Sequence, residues 1–204
     1  MSLNLNSQEE KIIRKYILRK SNEDHTRILE DIKDNEIQMV ILKMHLYIEK
    51  ELNEFIKEFF EKPDLLLNDM KLSFIAKLKI LHALDDDIID KPLYNAILKI
   101  NNVRNSLAHT LNYEFTEDEF KKLHDTLEKD LKRGYKLEIE IETILKENLT
   151  HHDQGRTLLI GIWLALKTKV LMACIRKKVL AGKYELEYAK SIHEIIKNAS
   201  ESAE

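Results

Sequence analysis

Residues 34–61 read DNEIQMVILKMHLYIEKELNEFIKEFFE. Ile37, Val40, Ile41, Met44, Tyr47, Ile48, Leu52, Phe55, Ile56 and Phe59 recur at steps of three and four. That spacing keeps one face of a helix apolar over seven turns and predicts a long core helix from about Asp34 to Glu61. Pro63 stops it, because proline has no N–H to continue the ladder.

The same period extends outward in both directions. Toward the N-terminus, Ser7 and Glu10 form a capping-box pattern ahead of Ile12, Ile13, Tyr16 and Ile17. The polar run Ser21 to His25 predicts a turn, and Ile28, Leu29 and Ile32 a short second helix. Toward the C-terminus, a helix is predicted over residues 72–84, followed by a charged, solvated turn at Asp85, Asp86 and Asp87. Three adjacent carboxylates invite a metal reading, but no other ligand spacing supports one. Pro92 suits the first turn of the next helix, whose buried stripe is Leu93, Ile97, Ile100, Val103 and Leu107. Thr116 and Glu119 predict a capping box, with Phe115 stapled to Phe120 and Gly134 as the stop. Residues 136–143 alternate Leu137, Ile139 and Ile141 with glutamates, which is a strand period, so a short strand is predicted there, running into a helix that ends near Leu149. After a polar break at 150–155, an apolar helix is predicted from about 156 to 181, with Gly182 as its end. An amphipathic helix closes the chain.

Composition agrees with helix almost throughout. The 204 residues include 4 Gly and 2 Pro, with 34% charged and 44% apolar residues. One Cys excludes an intrachain disulfide and a Cys-rich zinc module. The expected fold is all-α, a bundle of about seven to eight helices. Its expected divisions are an N-terminal helical extension at 1–33, a bundle at 34–182, and a C-terminal helix and frayed tail at 183–204.

Net charge is −3, unevenly spread. Residues 155–204 carry 9 Lys+Arg against 5 Asp+Glu, and the preceding residues 24 against 31. The chain as a whole is therefore no polyanion binder, although its basic C-terminal quarter could meet phosphate or dock on the acidic remainder. The first ten residues lack the pattern of a signal peptide, and the run Leu158 to Leu166 is too short to span a bilayer. A cytoplasmic protein with no membrane partner is the expectation. No helix pair resembles a sequence-specific DNA-reading module.

One segment breaks the helical rules. INNVRNSLAHT, residues 100–110, places Asn101, Asn102 and Asn105 beside Arg104 and His109. Asparagine disfavours helix interiors, and local rules tend to be broken at functional sites. Asn105 and His109 are four apart and share a face, so the amide could fix the imidazole tautomer. Arg104 and His109 are five apart, about 140° around a regular helix. They can serve one phosphate only if the helix ends near His109 or a second subunit supplies half the site. The plain alternative is that Arg104 pairs with an acidic neighbour and the asparagines tie down a helix end.

Arg104-Asn105-Ser106-Leu107-Ala108-His109 resembles the R-N-x-x-x-H form of the Arg-x4–6-His motif of the HEPN superfamily. A likeness to its mannitol-operon-repressor-like branch runs from about residue 35 to 125. It is carried by Leu78-Lys79-Ile80-Leu81-His82-Ala83-Leu84, the acidic turn, the motif, and Tyr113-Glu114-Phe115-Thr116-Glu117-Asp118-Glu119. It continues more weakly through 156–181.

The resemblance implies a HEPN-like bundle with extra helices at both ends. It implies a metal-independent, cofactor-free endoribonuclease of defence or toxin type, acting on RNA at a homodimeric site, with a possible antitoxin partner. Arg104 would hold the scissile phosphate and His109 would transfer protons. Asn105 would orient them, and Asn101 and Asn102 would contact substrate. The alternative it implies is a non-catalytic transcription regulator that binds a protein partner. The absence of an Arg-rich stripe beside the motif counts against tight RNA binding.

Among other candidates, His151-His152-Asp153 reads as a capping turn rather than a metal cluster. Cys174 reads as a small buried hydrophobe. Arg176-Lys177-Lys178 reads as a solvated face and a secondary candidate for RNA contact. The apolar helix containing Trp163 predicts part core and part dimer contact.

Overall fold

A computed structural model describes residues 7–84, 89–111, 113–127, 131–133, 136 and 149–180. The fold is all-α. Among the described residues there are six α-helices: α1 (Ser7–Ile32), α2 (Ile37–Phe59), α3 (Phe74–Leu84), α4 (Lys91–His109), α5 (Glu117–His124) and α6 (His151–Leu180). The predicted strand at 136–143 and the helix after it fall almost wholly outside the described residues, as do the acidic turn at 85–87, Gly134, Gly182 and the closing helix. Lys136, at the strand's start, is helical.

α6 is the axis of the bundle, packed against α1, α2, α4 and α5. Its Leu158, Leu159, Ile162, Trp163 and Leu166 are all at most 1% exposed. Trp163 is core, while Gly161, Leu164 and Ala165 of the same helix are only partly buried. α6 is also long and apolar enough to cross a membrane, but 56% of its most apolar stretch is buried inside the bundle. α2 supplies the opposing surface, with Val40, Ile41, Met44, Ile48, Leu52, Phe55 and Ile56 fully buried. The periodicity of residues 34–61 thus corresponds to the face that meets α6 and α4.

α1 is one continuous helix, where two helices and a turn are predicted. The run Ser21–His25 is polar but contains no Gly or Pro to break the ladder. Local ion pairs reinforce it: Arg19 and Lys20 reach Glu23, and Arg27 reaches Asp24. Asp24 also turns inward to Lys167 of α6, 2.8 Å away. The boundary at residue 33 separates no core, because Ile28 and Ile32 share one cluster with α2 and α6. Ile13 and Ile17 form a second cluster with Ile175.

The helix starts follow capping chemistry. Asp90 accepts from the Leu93 N–H at 2.9 Å and Pro92 sits in the first turn of α4. Thr116 accepts from the Glu119 N–H at 3.3 Å. The return half of that box is absent, because the Glu119 carboxylate accepts from the Tyr113 hydroxyl instead. α5 ends at His124, ten residues before Gly134, where the Thr126 and Leu127 N–H groups turn to the carbonyls three residues back, Leu123 and His124, both at 3.1 Å; the Thr126 hydroxyl adds a bond to the Leu123 carbonyl at 2.6 Å.

α6 starts at His151, earlier than the polar break suggests. Thr150 and Asp153 cap it reciprocally: the Asp153 N–H donates to Thr150 Oγ1 at 3.2 Å, and the Thr150 N–H to Asp153 Oδ2 at 3.1 Å. Between α2 and α3, residues 65–69 form a π-helical turn. It closes through Lys71 at φ 48°, a left-handed conformation that ordinarily falls to glycine.

Candidate functional site

α4 buries Leu93, Ala96, Ile97, Ile100 and Val103 against the bundle. Asn101 lies on that same buried side, 7% exposed. A buried amide needs a partner. It has one in His45 of α2, whose Nε2–H donates to Asn101 Oδ1 at 3.2 Å. The bond fixes the tautomer, since an amide oxygen only accepts.

His45 is itself 6% exposed and stacks on Phe74 of α3, with ring centroids 4.2 Å apart. Burial holds its pKa below the usual 6.5, and the nearby Arg104 and Lys77 charges act the same way. The Asn101 bond and Glu49 oppose them. Lys77, also buried, pairs with Glu49 at 2.7 Å. α2, α3 and α4 therefore enclose a polar cluster of His45, Asn101, Lys77 and Glu49, with Arg104 beside it.

Sequence reasoning missed His45. It occupies an apolar-stripe position of α2, and its partner is 56 residues away. The available signal was a polar ring standing next to Met44 on the core face.

The remaining segment faces outward. Arg104 is half-buried, and its Nη1 donates to Asn105 Oδ1 at 3.2 Å. Asn105 thus engages Arg104 rather than His109. Asn102 is exposed. His109 is exposed and is the last residue of α4, because Thr110 leaves the helix at φ −118°, ψ 114°. The helix end that a shared phosphate requires is therefore present. Asn101 is buried and bonded to His45.

The stretch after the motif does structural work. Phe115 is 2% exposed, and its ring edge lies against Gly155 of α6. Burial and the Glu119 carboxylate push the Tyr113 phenol up. A cleft of about 280 Å³ between α1 and α6 is lined by Leu29, Ile32, Arg156 and Ile160 among others, and by none of the motif residues.

His151 and His152 lie in the first turn of α6, and Asp153 serves the cap. Among the described residues, no group of three or more His, Cys, Asp or Glu could hold a metal ion. Burial, with the Glu58 charge, pushes the Cys174 thiol up to about 12, leaving it protonated. The basic run of α6 is not simply solvated. Lys177 donates to the Glu58 carbonyl, and Lys178 pairs with the Glu58 carboxylate at 3.3 Å. Cations there complement the C-terminal end of α2.

No protein-family model, curated protein or solved structure matches the chain. The class that fold and site define is an all-α bundle with a polar, cationic helix end.

Proposed function

We propose that the chain is a metal-independent endoribonuclease of HEPN type. The observation that carries this reading is that α4 stops at His109, leaving an exposed imidazole at its end and a half-buried guanidinium little more than one turn back.

In the proposed reaction, the ribose 2′-OH attacks the adjacent phosphorus and loses its proton to a histidine base. The 2′-O–P bond forms as the P–O5′ bond breaks. An acid protonates the departing 5′-oxygen, leaving a cyclic phosphate and a 5′-OH. Histidine exchanges protons near neutral pH, which suits His109 to either task. Arg104 offers fixed donors to the charge that develops on the phosphoryl oxygens. One His109 cannot be base and acid at once, so a homodimer with two copies of the segment supplies both. Asn105, bonded to Arg104, orients the guanidinium.

Single-stranded RNA incubated with the protein in EDTA tests the reading, beside His109→Ala and Arg104→Ala. Cleavage by the parent, with 2′,3′-cyclic phosphate ends and a loss of roughly 10²–10⁴-fold in the His109 variant, supports it. Intact RNA with every form rejects it.

A second reading, a regulator that binds a protein partner through the same bundle, is favoured by one feature. The amides of Asn101 and Asn105 are both bonded within the chain, which leaves Asn102 as the freely exposed asparagine of the three.

A further inference from the structure

We propose that the cleft between α1 and α6 binds a small organic carboxylate with an apolar body. The cleft holds about 280 Å³, near the lower end of small-molecule sites. Leu29 and Ile32 line it from the end of α1, and Ile160 lines it from α6. Leu29 keeps 39% of its surface exposed beside buried Ile32 and Ile160. The wall is therefore hydrocarbon that the chain itself leaves partly uncovered.

Arg156 supplies the reason for a carboxylate. Its two Nη atoms fasten the corner between α1 and α2. Nη1 donates to the Lys33 carbonyl at 3.4 Å, and Nη2 donates to the Asn35 carbonyl. Its Nε–H is buried and, among the described residues, has no acceptor. A buried donor on a cation is costly to leave unpaired. What it lacks is an acceptor, and a charged oxygen pairs best. Asp153 does not supply one: its Oδ2 accepts from Thr150, and its Oδ1 lies 3.9 Å from Nη1.

Lys33 and Glu30 also line the cleft, and both are exposed. In the proposed complex a carboxylate oxygen accepts from the Arg156 Nε–H, and its charge draws the Lys33 ammonium. The apolar body lies on Leu29, Ile32 and Ile160. Glu30 opposes the bound charge. A cation would meet two like charges. A neutral apolar molecule would leave Nε unpaired, and a water would leave the hydrocarbon wall uncovered.

The test titrates the full chain, 15N- and methyl-labelled, with sodium benzoate at about pH 7, where a carboxylate is ionised. Benzyl alcohol keeps the ring without the charge, and acetate keeps the charge without the ring. Ionic strength is held constant. Benzoate should shift the Arg156 Nε–H signal and the Ile32 and Ile160 methyl signals together, and saturably. Neither control should do so at equal concentration. The melting temperature should rise in benzoate alone. Lys33→Gln should weaken benzoate binding about two- to five-fold, and Glu30→Gln should tighten it by a similar factor. Arg156→Lys keeps a cation but removes the Nε–H, and should weaken binding at least about tenfold.

The absence of a saturable benzoate shift overturns the proposal. So do shifts matched by benzyl alcohol or by acetate. So does an affinity unchanged in a folded Arg156→Lys protein, or one indifferent to both Lys33→Gln and Glu30→Gln. If Arg156→Lys does not fold, the two exposed positions decide. No residue of the Arg104–His109 segment lines the cleft, so RNA cleavage or its absence leaves this result where it stands.

Discussion

Lys167 of α6 lies 3.1 Å from Oε1 of Glu51 on α2, and the two residues are only 8% and 4% exposed. Asp24 of α1 completes the group at 2.8 Å from the same ammonium. One buried lysine thus fastens three helices. Desolvation pushes the Glu51 carboxyl upward against the pull of Lys167. Glu51 is bonded to that cation alone among its described partners, whereas Asp24 also pairs with Arg27 at 2.7 Å.

Lys167→Met should therefore destabilise the fold by about 3–5 kcal/mol, because it strands a buried carboxylate. Adding Glu51→Leu should recover much of that loss by removing the unpaired charge. Urea unfolding of the parent, the single and the double variant measures both. A single variant as stable as the parent contradicts the assignment.

His45 predicts how stability responds to acid. Its folded pKa lies below the unfolded 6.5, so its contribution is complete above that value. As pH falls through 6.5 toward the folded value, the unfolded chain takes up the proton first and stability drops. In His45→Gln the part of the decline between about pH 6.5 and 5 should flatten. Thermal melting across that interval checks it.

The two glycines of α6 should respond in opposite senses to alanine. A Cβ on Gly155 would stand 3.0 Å from the ring edge of buried Phe115, whereas one on Gly161 would meet nothing within 4 Å. Gly161→Ala should gain up to about 1 kcal/mol from helix propensity. Gly155→Ala should lose about 1 kcal/mol or more, as overpacking outweighs the same gain. Chemical denaturation of the pair gives the comparison.

Thr150→Ala removes the hydroxyl that accepts from the Asp153 N–H and donates to its carboxylate, leaves the backbone N–H side of the cap, and should cost about 1 kcal/mol. Thr150→Ser should be near neutral, since the hydroxyl is what binds. Melting temperatures distinguish the two.

Much of this architecture was legible in the chain because its signals are local. The stripe of α2, the Asp90-Pro92 start of α4 and the Thr116 cap each lie within a few residues of their cause. What was not legible depends on distant partners. Ser21–His25 reads as a turn until Asp24 meets Lys167, 143 positions along the chain. The earlier end of α5 lies at a turn of i−3 backbone bonds with no Gly or Pro to announce it. At the candidate site, the order and spacing of Arg104, Asn105 and His109 were visible, and so was the need for the helix to stop there. The inward turn of Asn101 was not, because the histidine it meets belongs to another helix and sits within an apolar stripe.

The axis of the bundle is encoded late. Until residues 151–180 leave the ribosome, the one helix that packs on α1, α2, α4 and α5 alike is missing. A nascent chain cut short before them would display the bare apolar side of α2 to its surroundings, an invitation to holdase capture or self-association. Synthesis up to residue 150 thus allows only the contacts that α1 to α5 make among themselves, and α6 closes the core when it joins them.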